Sequence, residues 1–371
     1  MQNKNVLFLV HRIFNNDNVK RGGADYIIDY LISKGYSITT IEHPLNGTHE
    51  SYIKTDNISK TFRINGNGPI RWIQEIVFNV AKAHKSDFAL IISVDPLNFL
   101  SAYFLNKIKN RKHKTKILFH SIDYSENRFG NSLLDFVYNS LYSFAVKNAD
   151  VVTYVSKLMG EKIQQLRKNR KNILFHLPNS PEFTKIPKTD SSKKNKNSLT
   201  FSKSFISNEE LLLLQNVTTI LKKRFPRIVL NIVGKISEST TIINPNIKDN
   251  LIMHGLVPYE KNLEIISNSY IGLGWYENKF SFEKYNDSLK LREYAASGVP
   301  SICNNKTSTA IEMDKEGAGI IANTEKELAG AIATFITNEK KYYDMHINSI
   351  RWAKENDKSK LLEKLLRTLG L

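Results

Sequence analysis

The chain has 371 residues, 41% hydrophobic and 24% charged, with 53 Lys/Arg against 36 Asp/Glu for a formal net charge of +17. That length exceeds what one hydrophobic core usually serves, so two domains are expected. No apolar run approaches the ~20 residues needed to span a bilayer. The opening MQNKNVLFLVHR lacks the apolar stretch and cleavage site of a signal peptide, and the lone Cys303 excludes an internal disulfide. The expected compartment is the cytoplasm. Neither CxxC nor HExxH occurs, so no metal site is expected.

The positive charge leans to the N-terminal half. Residues 1–180 hold 25 Lys/Arg and 14 Asp/Glu (+11), and residues 181–371 hold 28 and 22 (+6). The densest runs are KIKNRKHKTK (107–116) and RKNRK (167–171). They suit the cytoplasmic face of an anionic membrane, on which the protein would sit peripherally, or nucleic acid. Solvated surface is the plain alternative for either run. No RNA- or DNA-binding motif accompanies them, so nucleic acid is not an expected partner.

In chain order, NVLFLV (5–10) reads as a buried strand. After Gly22-Gly23, the residues Tyr26, Ile27, Tyr30 and Leu31 mark one face of a helix that Gly35 ends, and YSITTIE is the next strand. The pattern assigns no element between 43 and 69. Helices at 70–85, 96–110 and 133–149 then alternate with strands at 88–94, 115–121 and 150–156, and a further strand covers 172–178. This alternation implies a parallel sheet with helices on both faces. NSPEFTKIPKTDSSKKNKNS (179–198) is polar and proline-bearing, and reads as a linker. The alternation resumes with strands at 198–202, 228–234, 250–255, 269–275, 300–304 and 318–323, and helices at 208–224, 259–268 and 325–337. The expected organisation is an N-terminal domain (1–178), a linker (179–198), a C-terminal domain (199–338) and a helical tail (339–371) packing back toward the N-terminal domain. Two doubly wound halves would leave a cleft between them, with ligands beyond the carboxyl ends of the strands.

The stretch YNDSLKLREYAASGVPSI (285–302) bears most of the chemical interest. Leu289, Leu291, Tyr294 and Ala295 recur at helical spacing, while Lys290 and Glu293 share another face. NDS (286–288) supplies N-cap residues, and Gly298-Val299-Pro300 ends the helix ahead of an apolar strand. A helix N-terminus and a first-turn lysine suit a diphosphate. A carboxylate one turn on can accept hydrogen bonds from two neighbouring hydroxyls. The plain alternative is a surface Lys–Glu pair.

KLREYAASGVPSI resembles the K-L-x-E-Y-x-A-x-G-x-P-V-I signature of retaining family-4 glycosyltransferases, which have the GT-B fold of two Rossmann-like doubly wound domains facing a cleft. RGGADYIIDYLISKGYSITTI, ILFHSIDY, NADVVTYVSKLM and NLIMHGLVPYEKNLEIISNSYIGL resemble further segments of that family, so the likeness covers most of the chain. It implies that Glu293 holds the ribose hydroxyls of a nucleotide-sugar donor and Lys290 its diphosphate, with Ser288 and Leu289 at the helix start. It implies donor contacts from Gly22 and Gly23, phosphate-neutralising cations in Lys203 and Lys235, and a sugar-facing His120. His120 is otherwise a structural histidine at a strand end. Asp123 and Arg128 follow that strand end, where acceptor groups would sit, or form a local ion pair.

Three positions depart from the family pattern. Tyr285 stands where many members carry a first glutamate, with Asp287 or Glu283 as nearby replacements. Asn208 stands where a lysine is usual, and Ser202 where a glycine is usual. The implied activity is retaining transfer of a sugar from a nucleoside diphosphate sugar to a hydroxyl of a glycan or lipid-linked acceptor, in cell-surface polysaccharide or glycolipid synthesis, with no cofactor and no metal. The alternatives are a sugar-nucleotide epimerase or binding protein of the same architecture, and a basic nucleic-acid-binding protein. A nicotinamide enzyme is disfavoured because RGGADY does not fit G-x-G-x-x-G.

Overall fold

A computed structural model of the protein describes residues 4–14, 22–45, 48–56, 58–108, 115–236, 243–277 and 283–371. The chain forms two compact units. The first comprises Met1–Asn16, Ala24–Pro178 and Leu361–Leu371, and the second Asp17–Gly23 and Asn179–Lys360.

The first unit is built from β1 (Asn5–Val10), α1 (Gly23–Ser33), β2 (Ser37–Glu42), β3 (Glu50–Thr55), β4 (Ile58–Arg63), α2 (Gly68–Ala83), β5 (Leu90–Ser93), α3 (Pro96–Ile108), β6 (Lys116–Ser121), α4 (Ser132–Asn148), β7 (Val151–Tyr154), α5 (Lys157–Arg167) and β8 (Ile173–His176). Its sheet runs β4-β3-β2-β1-β5-β6-β7-β8. β1 is parallel to both β2 and β5, and the parallel pairing continues to β8. β1 is a short apolar run because its residues from Val6 to Leu9 are wholly buried between helix layers. The sheet is not the purely parallel one that the alternation of elements predicts. β3 and β4 pair antiparallel at the edge, inside the stretch 43–69 where the sequence pattern marks no element. They escape a periodicity reading because β4 is exposed at nearly every position, so ISKTFR carries no buried face. The core gathers Val6, Phe8, Ile27, Leu31, Leu90 and Ile92 against Leu362, Leu365, Leu366 and Leu369.

The second unit holds β9 (Ser198–Ile206), α6 (Asn208–Lys222), β10 (Val229–Ile236), β11 (Leu251–Gly255), α7 (Tyr259–Asn268), β12 (Ile271–Gly274), α8 (Leu289–Ala296), β13 (Ser301–Cys303), α9 (Ser308–Lys315), β14 (Gly319–Ile321), α10 (Glu325–Thr337), α11 (Glu339–Glu355) and the start of α12 (Lys358–Leu369). Its sheet is parallel throughout, in the order β11-β10-β9-β12-β13-β14. The polar stretch after Pro178 belongs to this unit. It carries two short 3-10 turns, packs Ile186 beside Trp352 and buries Lys194.

In each sheet the winding reverses beside the first strand, between β1 and β5 and between β9 and β12. The carboxyl ends of the strands at such a reversal form a crevice suited to ligands. At the carboxyl end of β10, Gly234 takes φ +147, and a Cβ there would lie 1.9 Å from the Lys203 carbonyl oxygen. The β9–β10 register shifts at the same point. Gly234→Ala should therefore destabilise this unit by at least ~1–3 kcal/mol from backbone strain alone, read as a lowered denaturant midpoint.

Candidate functional site

The site in the second unit is assembled around α8. Its N-terminus is fixed by a buried network. Asp287 accepts from Arg292 Nε at 2.9 Å on both oxygens, from Thr309 Oγ1 at 2.7 Å and from the Asn179 backbone N–H at 2.5 Å. Arg292 also reaches Glu312 at 3.5 Å and lies over the Trp352 ring at 4.8 Å. Two opposing carboxylates hold a guanidinium that burial alone would disfavour, so its pKa remains raised. Ser288 caps the helix by accepting from Leu291 N, and its hydroxyl meets Tyr276 Oη. At the other end, Gly298 takes φ +64. The carbonyls of Ser297 and Gly298 accept from Lys194 Nζ at 3.4 and 3.3 Å, and His346 Nδ1 donates to Gly298 O at 2.6 Å. Burial pushes the Lys194 pKa down to about 8.

Lys290, in the first turn of this helix, meets Glu293 one turn on. Lys290 Nζ lies 2.9 Å from Glu293 Oε2, and Tyr259 Oη donates to Glu293 Oε1 at 2.9 Å. The Glu293 side chain has no exposed surface, whereas that of Lys290 is 28% exposed. The pair is thus not a surface ion pair but a buried carboxylate under a partly solvated ammonium.

Around the β9–β12 reversal, Lys203 Nζ is 2.5 Å from Glu210 Oε1 and lies over the Tyr276 ring at 6.0 Å. Ser207 and Glu210 form a reciprocal capping box at the start of α6, and Ser207 Oγ donates to Glu277 Oε1 at 2.6 Å. Asn208, where the family pattern has a lysine, is the first residue of α6, and Ser202 Oγ donates to Asn262 Oδ1 at 2.7 Å. Lys235, near the end of β10, is exposed. Lys203, Lys235, Ser288, Leu289, Lys290 and Glu293 therefore all lie in the second unit, in the carboxyl-terminal halves of β9 and β10 or from the cap to the second turn of α8. Gly22 and Gly23, the latter the first residue of α1 whose remainder belongs to the first unit, fall in the second unit, and a Cβ on Gly23 would lie 2.1 Å from Asn179 Oδ1.

Asp287 is unavailable as a replacement for the glutamate missing at Tyr285. It is buried and both of its oxygens are taken by Arg292, with Thr309 and Asn179 adding further bonds. The side chain of Glu283 lies outside the described residues, as do 109–114 of the first basic run. In the second run, Arg167 Nη1 donates to Asn172 O at 2.7 Å.

His120, Asp123 and Arg128 belong to the first unit. His120 is fully buried on β6, with Nδ1 2.8 Å from Thr153 Oγ1 on β7. Asp123 is exposed, and the Arg128 guanidinium lies over the Tyr138 ring at 5.1 Å.

A second polar cluster, absent from the sequence reading, lies at the β1–β5 reversal of the first unit. His11 follows β1 and Asp95 follows β5. His11 Nδ1 lies 2.7 Å from Asp95 Oδ2, and Nε2 2.9 Å from Glu75 Oε2 on α2. Arg71 Nε donates to Glu75 Oε1 at 2.7 Å, and Asp95 Oδ1 caps α3. Burial pulls the His11 pKa down, but the Asp95 charge and hydrogen bonds to both carboxylates more than reverse this and raise it to about 10. His43, 5.5 Å away between ring centres, is wholly buried between Ser51 Oγ and Asn79 Oδ1. Burial, then the His11 charge, lowers its pKa to about 4. The available sequence signal is a titratable residue directly after each of two apolar strands, NVLFLV-H and IISV-D.

No family model matches the sequence, and no curated protein sequence matches it. Solved structures do resemble it. Sucrose-phosphate synthase from Thermosynechococcus elongatus is 12% identical over 99% of each chain, with a TM-score of 0.65. A glycosyltransferase from Rickettsia africae ESF-5 is 14% identical over all of this chain and 98% of that one, with a TM-score of 0.66. Anabaena Alr3699/HepE in complex with UDP is 12% identical over 99% of each chain, also at 0.66. The fold is that of the GT-B glycosyltransferases, two α/β units with a largely parallel eight-stranded sheet and a parallel six-stranded sheet.

Proposed function

We propose that the protein is a retaining glycosyltransferase that moves a sugar from a nucleoside diphosphate sugar to a hydroxyl of a glycan or lipid-linked acceptor, in the synthesis of cell-surface polysaccharide or glycolipid. The observation that carries this reading is the pairing of a first-turn Lys290 with the buried Glu293 one turn on in a capped helix, beyond the carboxyl ends of a parallel sheet. Free amides and an ammonium at a helix start stabilise the charge that develops on a departing diphosphate. Lys203 and Lys235 add cations at the neighbouring strand ends, although Glu210 already shares the charge of Lys203. Glu293 supplies an acceptor for two ribose hydroxyls. HepE binds UDP, and the S. aureus TarM and pneumococcal GtfA structures also contain UDP, which favours a uridine diphosphate sugar as donor.

Contact with an anionic membrane is supported by the basic runs 107–116 and 167–171 and by exposed Ile70, Ile73 and Val77 on α2 with Leu133 and Phe136 on α4. The deciding experiment is a donor-hydrolysis and transfer assay over UDP-, GDP- and ADP-sugars. One of them should be consumed with release of its nucleoside diphosphate. Absence of binding and turnover with every donor in that panel would sink the proposal.

A further inference from the structure

Glu293 poses a steric problem for any ligand. Its carboxylate has no exposed surface, and its two oxygens are covered by Lys290 Nζ and Tyr259 Oη, each at 2.9 Å. A ligand hydroxyl reaches it only after one cover leaves. Tyr259 is not the mobile one, because it is 8% exposed and packed in the apolar cluster with Leu263, Leu291 and Tyr294. Lys290 is partly solvated at 28% and reaches Glu293 through a flexible four-carbon stem. Taking an ammonium off a buried carboxylate without compensation is unfavourable. A diphosphate is a compensation of the required kind, an anion of higher charge placed at the start of the same helix.

We propose that the Lys290–Glu293 ion pair is an exchange switch that couples the two halves of a nucleotide. Lys290 transfers from Glu293 to the diphosphate, and the Glu293 carboxylate so uncovered accepts the two ribose hydroxyls. The inference rests on the donor-site reading above and adds a property that two independent subsites would lack. A nucleoside alone must separate the ion pair without help, and an inorganic diphosphate alone leaves a buried carboxylate bare. Each fragment therefore binds weakly alone and helps the other, by the same factor in both directions. The switch also makes the site selective for ligands that carry both groups at once.

The test is calorimetric titration of the full chain with a nucleoside, with inorganic pyrophosphate, with each in the presence of the other, and with the intact nucleoside diphosphate. The nucleoside is the one whose diphosphate binds. Saturating pyrophosphate should tighten nucleoside binding by ~10-fold or more. In Lys290→Met this coupling should vanish. There the nucleoside should bind more tightly than to the wild type, because an unpaired carboxylate awaits it, while the diphosphate should bind more weakly. A wild-type chain that binds both fragments with no mutual effect overturns the switch and leaves the donor site standing, and this measurement needs no variant to fold. Nucleoside affinity unchanged in a folded Lys290→Met also overturns it. If no nucleoside diphosphate binds the wild type, the donor-site reading falls and the switch falls with it.

Discussion

Glu293→Gln should lower kcat/KM for sugar transfer by ~10²–10⁴-fold while leaving the fold intact. A hydrogen bond to a charged group contributes ~1.5–3 kcal/mol net, so losing the carboxylate as acceptor for two ribose hydroxyls removes ~3–6 kcal/mol, at ~1.4 kcal/mol per decade. Glutamine keeps the volume of the side chain, and its amide oxygen still accepts from Tyr259 Oη, so no cavity opens in the cluster of Leu291 and Tyr294. Lys290 is partly solvated and tolerates the loss of its partner. The measurement is kcat/KM for the preferred donor at fixed acceptor, together with the thermal midpoint. Wild-type kcat/KM in a folded Glu293→Gln protein would remove Glu293 from the site. A loss confined to stability would make it a core residue.

Much of the scaffold around that residue is legible in the sequence, because it depends on local signals. Apolar runs such as NVLFLV and NILFHLP mark strands, helical spacing places Leu291 and Tyr294 inward, and Gly298 ends α8 in a left-handed turn. What surrounds Glu293 is not local. Its partner Tyr259 lies 34 residues earlier, at the start of a different helix. Asp287 reads as a loose acidic residue near the site, yet it is saturated by Arg292, Thr309 and Asn179, the last 108 positions away. Asn208 reads as a lost cation, whereas its place is set by the S-x-x-E capping box of Ser207 and Glu210, a pattern present in the sequence. The same Glu210 binds Lys203, so one residue both starts the helix and reduces the positive charge at the strand end. The β3–β4 hairpin stays hidden because an exposed edge needs no hydrophobic alternation.

The polar cluster at the β1–β5 reversal should make the first unit lose stability on both sides of a near-neutral optimum, and its acid limb belongs to His43. That imidazole is held neutral: Asn79 Oδ1 can only accept, so Nε2 carries the proton and Nδ1 accepts from Ser51 Oγ. The groups facing it are the charged His11 at 5.5 Å between ring centres, Glu75 Oε1 at 3.9 Å, and the Phe78 ring at 6.0 Å. With a folded pKa lowered to about 4 against an ordinary value of 6.5, the unfolded chain takes up this proton first. The stabilisation is complete above pH 6.5 and drains away as pH falls toward 4, by about 3 kcal/mol at ~1.4 kcal/mol per unit. His11 adds no slope in that window, because its pKa is raised to about 10 and it is protonated in the folded chain. Below pH 6.5 it is protonated in the unfolded chain too. Its own contribution is lost on the other limb, as pH rises from 6.5 through 10. Glu75 and Asp95 have lowered pKa values, so their contributions are lost only at lower pH, as it falls through the folded values. Urea midpoints of the wild type and His43→Gln between pH 4 and 7 isolate the term, since the other groups cancel in the difference. The wild type should lose about 3 kcal/mol more than His43→Gln across that range. Parallel curves for the two proteins would mean that His43 is protonated in the folded state and that its bond to Ser51 runs the other way.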